Sequence, residues 1–131
     1  MAVLSQLPEA VRVLAQVEAD KLLADIFSLQ AVVIASEDGF DVASAARDGI
    51  DPSRIAAMAS SIAAISSVVS QEAHLGRSRS VTIDTDAGFA VVFTVRRSDV
   101  QLVINIVAGP DVLIGEVMYR AGQLARLLAQ S

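Results

Sequence analysis

Apolar residues recur along this chain at two spacings, and the places where the spacing changes mark its elements. Pro8 to Ser28 holds no internal glycine or proline, and Val11, Ala15, Ala19, Leu22 and Ile26 follow helical spacing. Pro8 suits a first helical turn, where no N–H is needed, and Glu9 beside it faces the positive end of the helix dipole. A second apolar stripe, Ala10, Val13, Val17 and Ala24, predicts that this helix has two neighbours. Gln30–Ala35 and Phe40–Ala45 are short apolar runs around Ser36, Glu37, Asp38 and Gly39, a turn in which glycine supplies positive φ. They predict a β-hairpin. Asp48, Gly49, Asp51 and Pro52 then make a loop ending in an N-cap aspartate and a first-turn proline, which opens a helix running from Pro52 to about Ala73.

From Ser78 the period drops to that of strands. Ser78–Asp84, Phe89–Val95 and Val100–Ala108 predict three of them, joined by turns at Asp86-Ala87-Gly88 and Arg97-Ser98-Asp99. Gly109 and Pro110 end the last strand. Asp111 is placed to cap a final helix from Val112 to about Gln130, with Ile114, Met118, Ala121, Ala125 and Leu128 as its inner stripe. Ala31–Ala35 and Phe89–Val95 are apolar on both faces, and Val100–Ala108 nearly so, as strands covered on both sides must be. By contrast Ser78, Ser80, Thr82 and Asp84 alternate with Arg79, Val81 and Ile83, and the second strand carries Asp41 and Ser44. Those two strands read as edges. The expected fold is α/β (α+β): a three-layer sandwich on a five-stranded, mainly antiparallel sheet of order 2-1-5-4-3, with element order αββαβββα.

That element order, with the hairpin Ala35-Ser36-Glu37-Asp38-Gly39-Phe40-Asp41-Val42-Ala43-Ser44, resembles the Roadblock family of dynein light chains and bacterial GTPase regulators. The likeness spans roughly Val17 to the C-terminus; Asp38-Gly39 and Val42-Ala43-Ser44 carry its specific part, ahead of a long Ala/Ser-rich helix. The resemblance implies a homodimer or heterodimer whose second helices pack together and whose third strands pair. It further implies a partner, either a small Ras-like GTPase or a motor or scaffold assembly. It transfers no catalytic residue.

The second helix bears most directly on partnership. Ile55, Met58, Ile62, Ile65 and Val69 form a large-residue stripe expected to lie on the sheet. The opposite face, Ala56, Ser60, Ala63, Ala64, Ser67 and Gln71, carries no charge, whereas an exposed surface is about 25–35% charged. It is expected to meet a partner's helix, with Ser78, Ser80 and Thr82 on the adjoining strand edge completing a dimer interface.

Composition narrows the alternatives. A length of 131 residues suits a single domain over 1–131, and 53% hydrophobic against 19% charged residues calls for a sizeable core. Ten Lys and Arg against fifteen Asp and Glu, a net charge of −5, argue against a nucleic-acid or anionic-lipid surface. The absence of cysteine excludes disulfides, thiolate nucleophiles and Cys-containing zinc sites. Met1–Leu7 has neither a basic residue nor a long apolar core, so it does not read as a signal peptide, and a cytoplasmic location is expected. The uncharged run Ile55–Gln71 approaches spanning length, but Ser60, Ser61, Ser66, Ser67 and Ser70 mark it as a helix not inserted in a membrane.

Candidate chemistry is sparse. His74, the single histidine, has no second His or Cys with which to hold a metal or activate a nucleophile, and reads as a surface-loop residue. Asp84-Thr85-Asp86-Ala87-Gly88 begins like a calcium loop, but Val95 stands where the bidentate Glu belongs, so it reads as a hairpin turn. There is no G-x-x-x-x-G-K-[ST] motif, and the sole lysine, Lys21, lies in the first helix. No arginine stands out as one acting in trans on a partner's nucleotide, and Arg96-Arg97 reads as an edge-blocking turn. No catalytic, metal or cofactor site is expected, and the chain does not read as an enzyme. The leading reading is a dimeric GTPase-binding module. A small-ligand sensor, with Gln101 and Asn105 as buried polar groups, or a scaffold subunit, is the alternative.

Overall fold

The computed structural model describes residues 6–131. Most of Met1–Leu7, the segment read above against a signal peptide, lies outside the described residues. Helix α1 (Glu9–Asp25) leads into the hairpin β1 (Leu29–Ser36) and β2 (Asp41–Ala46), then α2 (Pro52–Glu72). Strands β3 (Ser80–Thr85), β4 (Gly88–Val95) and β5 (Leu102–Ala108) precede the last helix, α3 (Ile114–Gln130). The sheet is antiparallel in every pairing and runs β2-β1-β5-β4-β3, the expected order.

Local chemistry explains the boundaries. Asp51 caps α2 through its carboxylate, which accepts from the Ser53 amide at 3.1 Å, and the Ser53 hydroxyl together with this bond lowers its pKa below the usual carboxylate value. Helix α1 stops at Asp25, short of the expected Ser28: Ile26 is already extended, with φ −109° and ψ 110°, and Ser28 follows at a left-handed φ of 69°. Asp111 does not cap α3: the helix starts at Ile114 behind Leu113, and no side chain caps it. Gly88 is demanded by space, since a Cβ there would stand 2.1 Å from the Ala108 carbonyl oxygen.

Helices α1 and α3 share one face of the sheet, α1 over β1 and β2, α3 over β4 and β5. Here Val11, Ala15, Ala19, Leu22 and Ile26 meet Val32, Ile34, Val91, Ile104 and Ile106 in the main core. The inner stripe of α3 is Val117, Ala121, Leu124 and Leu128; Ile114, expected inside, is exposed because the helix begins there, rotated from the forecast phase. The second stripe of α1 meets no neighbour among the described residues, and Val13 and Val17 face solvent. An ion pair of Arg120 with Asp25, 3.0 Å long, ties α3 to the end of α1. Arg97 is not an edge blocker. Its guanidinium grips Asp99 at 2.8 and 2.9 Å, reaches the Leu128 carbonyl, and holds the pKa of the Asp99 carboxyl at about 2.

Candidate functional site

Helix α2 lies alone on the other face of the sheet, and its orientation is the reverse of the one side-chain size suggests. Ala56, Ala59 and Ser60 are the residues it buries, against Ala31, Val33 and Ala35 near its start and Val92 and Val103 further along. Close approach is the physical reason. The Ser60 hydroxyl donates to the Glu37 carbonyl at 2.5 Å, and Ser60, Ala56 and Ala59 are buried against the sheet. A helix held this near a backbone turn accepts only small residues beneath it. Of the large stripe expected on the sheet, Ile55 and Ile62 stay half-buried against it, while Met58 is 57% exposed, Ile65 65% and Val69 57%.

The residues expected to form one contact face therefore part company. Ala56 and Ser60 are buried under the chain's own helix, and Ala63 is half-buried beside Val92. Ala64, Ser67 and Gln71 are exposed, on the flank of α2 that overlooks β4 and the start of β5. Ser78 is half-buried and shares a hydrogen bond with Ser66. Ser80 and Thr82 lie in register with Phe93 and Val91, so their side chains stand on the α1 and α3 face of β3. No single surface holds all nine.

What the structure does bring together is an apolar trough. Beside it stands α2, whose Ile55 and Ile62 are half-buried against the sheet below its exposed large residues. Its floor is the part of the sheet that α2 leaves uncovered, a groove of about 330 Å³ lined by Ile83, Ala90 and Val107. It ends at β3, which among the described residues pairs with β4 alone and leaves its other edge without a strand. Size alternation on α2 signals two distinct faces; the alanines of β1, Ala31 and Ala35, were the hint that the small face goes inward.

The other candidate residues fall as follows. His74 is exposed, in a left-handed turn after α2, and within Asp84–Gly88 the residues Asp86 and Ala87 form the turn between β3 and β4. Asn105 is buried at mid-sheet on the α2 side, between Val33 and Val92 in register, and its Oδ1 has no hydrogen-bond partner. Gln101 is half-buried on the same face, donating from Nε2 to the Arg97 carbonyl at 2.6 Å. Helix α2 is long and apolar enough, by length and composition, to cross a membrane; here it lies across the sheet.

Three helices placed two against one on an antiparallel 2-1-5-4-3 sheet, in the order αββαβββα, define the Roadblock fold. Solved structures agree. A Roadblock/LC7 domain from Streptomyces avermitilis superposes with a TM-score of 0.77 at 18% identity, over 86% of this chain and 92% of that one. The gliding protein MglB from Thermus thermophilus gives 0.79 at 13% identity, over 95% and 92%. An MglB with tetrameric arrangement gives 0.77 at 16% identity, over 95% and 91%. No protein-family model matches the sequence, and no curated protein does.

Proposed function

We propose that this chain is a dimeric, cytoplasmic regulatory module that binds a small Ras-like GTPase and biases its nucleotide state or its location, without chemistry of its own. The observation that carries the reading is the apolar trough: Met58, Ile65, Val69 and Ile83 lie exposed beside an unpaired strand edge. A second copy satisfies both at once, its helix covering the trough and its strand extending the sheet. Charge supports self-pairing. Arg77 and Arg79 precede the strand and Asp84 and Asp86 end it, so an antiparallel partner sets the basic start of one copy beside the acidic end of the other. The tetrameric arrangement of an MglB of the same fold is consistent with self-association. The Roadblock resemblance supplies the GTPase, and the lack of a phosphate-loop motif leaves the nucleotide to that partner.

A regulator that biases a switch must bind its two states unequally, because equal affinity shifts nothing. The experiment is a titration of a Ras-like GTPase encoded beside this chain, loaded with GDP or with a non-hydrolysable GTP analogue, by the wild type and by Ile65→Arg. The wild type is expected to be a dimer by light scattering and to prefer one loaded form. Ile65→Arg is expected to be a folded monomer, since it puts an unpaired charge into an apolar contact but not into the protomer core. Equal binding of both forms makes the protein a scaffold, and no binding of either ends the GTPase reading.

A further inference from the structure

On the flank of α2 away from the trough, two polar grooves run together. One, of about 310 Å³, lies between α2 and the ends of β4 and β5, with Glu37, Ser67, Thr94, Arg96 and Gln101 in its lining. The second, of about 420 Å³, lies below the end of α2 and is lined by Ser67, Gln71, Gly76, Arg77 and Arg96. Ser67 and Arg96 belong to both, so the two form one channel with Arg96 at the junction.

Its charges are separated along its length. Glu37 lines one end and is exposed. At the junction Arg96 is oriented by one bond, Nη2 to the Ser78 carbonyl at 2.9 Å, which leaves the rest of its fork for other acceptors. Arg77 lies beyond it, and among the described residues neither arginine forms an ion pair. In the wall near Glu37 the Gln101 Oε1 is buried with no donor, although its Nε2 is fixed. A buried acceptor left this way carries its full desolvation cost.

We propose that this channel is a binding site for a small zwitterion of amino-acid or dipeptide size, its ammonium held by Glu37 and Gln101 and its carboxylate by Arg96 and Arg77. The volume fits that size, since about 300–1,000 Å³ is the range of small-molecule sites and this groove stands at its foot. A guanidinium fork matches a carboxylate in two parallel bonds, which fixes orientation as well as charge. Ser67 and Thr94 add hydroxyls between the charged ends. The groove opens on the side of α2 opposite Ile55 and Ile62, so a body seated in the trough leaves it accessible. The proposal stands independently of the GTPase reading.

The test is binding of free amino acids and simple dipeptides to the full chain, by calorimetry and amide NMR shifts, with acetate and methylammonium as the single-charge probes. Zwitterions are expected to bind, raise the melting temperature and shift signals of Glu37, Ser67, Arg96 and Gln101, while the single-charge probes do neither. Glu37→Gln and Arg96→Gln, both at exposed positions, are each expected to weaken binding about tenfold or more, the size of a lost charge-assisted hydrogen bond. Gln101→Met separates binding from folding: it removes the orphaned acceptor, so affinity falls while the melting temperature stays level or rises. Failure of every zwitterion to bind at millimolar concentration overturns the proposal. So does acetate binding as tightly as the zwitterions, or wild-type affinity in both charge variants.

Discussion

The two faces of the sheet are built from the same kinds of apolar residue used in opposite ways. On the face under α1 and α3, the large side chains point inward, and Val32, Ile34, Val91, Leu102, Ile104 and Ile106 are wholly buried. On the face under α2, small residues point inward and the large ones outward, with Met58, Ile65, Val68 and Val69 all more than half exposed. Apolar area removed from water stabilises by about 25 cal/mol per Å² wherever it is buried. The first face therefore contributes its area when the protomer folds. The second leaves much of its area in water in the protomer, so it contributes little to folding.

Truncations should read that difference directly, with the largest effect on the closed face. Ile106→Ala is expected to destabilise the protomer by about 2–5 kcal/mol, the transfer loss of a buried isoleucine plus the cavity left behind. Ile65→Ala, measured by urea unfolding at a concentration too low for assembly, should stay within about 0.5 kcal/mol of wild type, as surface changes do. Similar losses for both would break the comparison, because Ile65 would then be working inside the protomer.

Much of the closed face was legible in the sequence, and the rotation of α2 was not. The stripe Val11, Ala15, Ala19, Leu22 and Ile26 is buried as its spacing predicts, and strand order followed from which runs were apolar on both faces. Periodicity identifies the stripes of a helix but not which one faces the sheet. The choice for α2 was set by a distant hairpin turn, to which the Ser60 hydroxyl is tied through the Glu37 carbonyl. Ser60, Ala64 and Ser67 thus line a polar groove on the flank of α2. Arg97 escaped for a related reason. Its partners include the Leu128 carbonyl at the far end of α3, and no local pattern announces a bond of such sequence separation.

Enlarging a buried position on α2 isolates the close approach itself. Ala59→Leu adds methylenes where Val92 and Val103 leave no room, and overpacking of this kind costs about 1–3 kcal/mol. It should lower the urea midpoint without changing the slope, the mark of altered stability with unaltered compactness. A neutral outcome would mean that α2 can lift off the sheet at no cost, and that small residues are not what sets its orientation.

The smallest effect should have the opposite sign. Asn105 is 5% exposed, flanked in register by Val33 and Val92, and its Oδ1 accepts no hydrogen bond. The other buried polar side chains among the described residues are served: Ser36 Oγ accepts from the Phe40 amide and Ser60 donates to Glu37. A buried acceptor without a donor costs about 1–3 kcal/mol, and leucine keeps the branching of asparagine without the polar atoms. Asn105→Leu is therefore expected to raise stability by about 1 kcal/mol, read as a higher urea midpoint at an unchanged slope. The fold should be unaltered, since the neighbours on both adjacent strands are already valines. A destabilised variant would show that the α2 face depends on this amide for its packing. A stabilised one would mark Asn105 as a cost carried on the open face, which no buried residue described on the closed face bears.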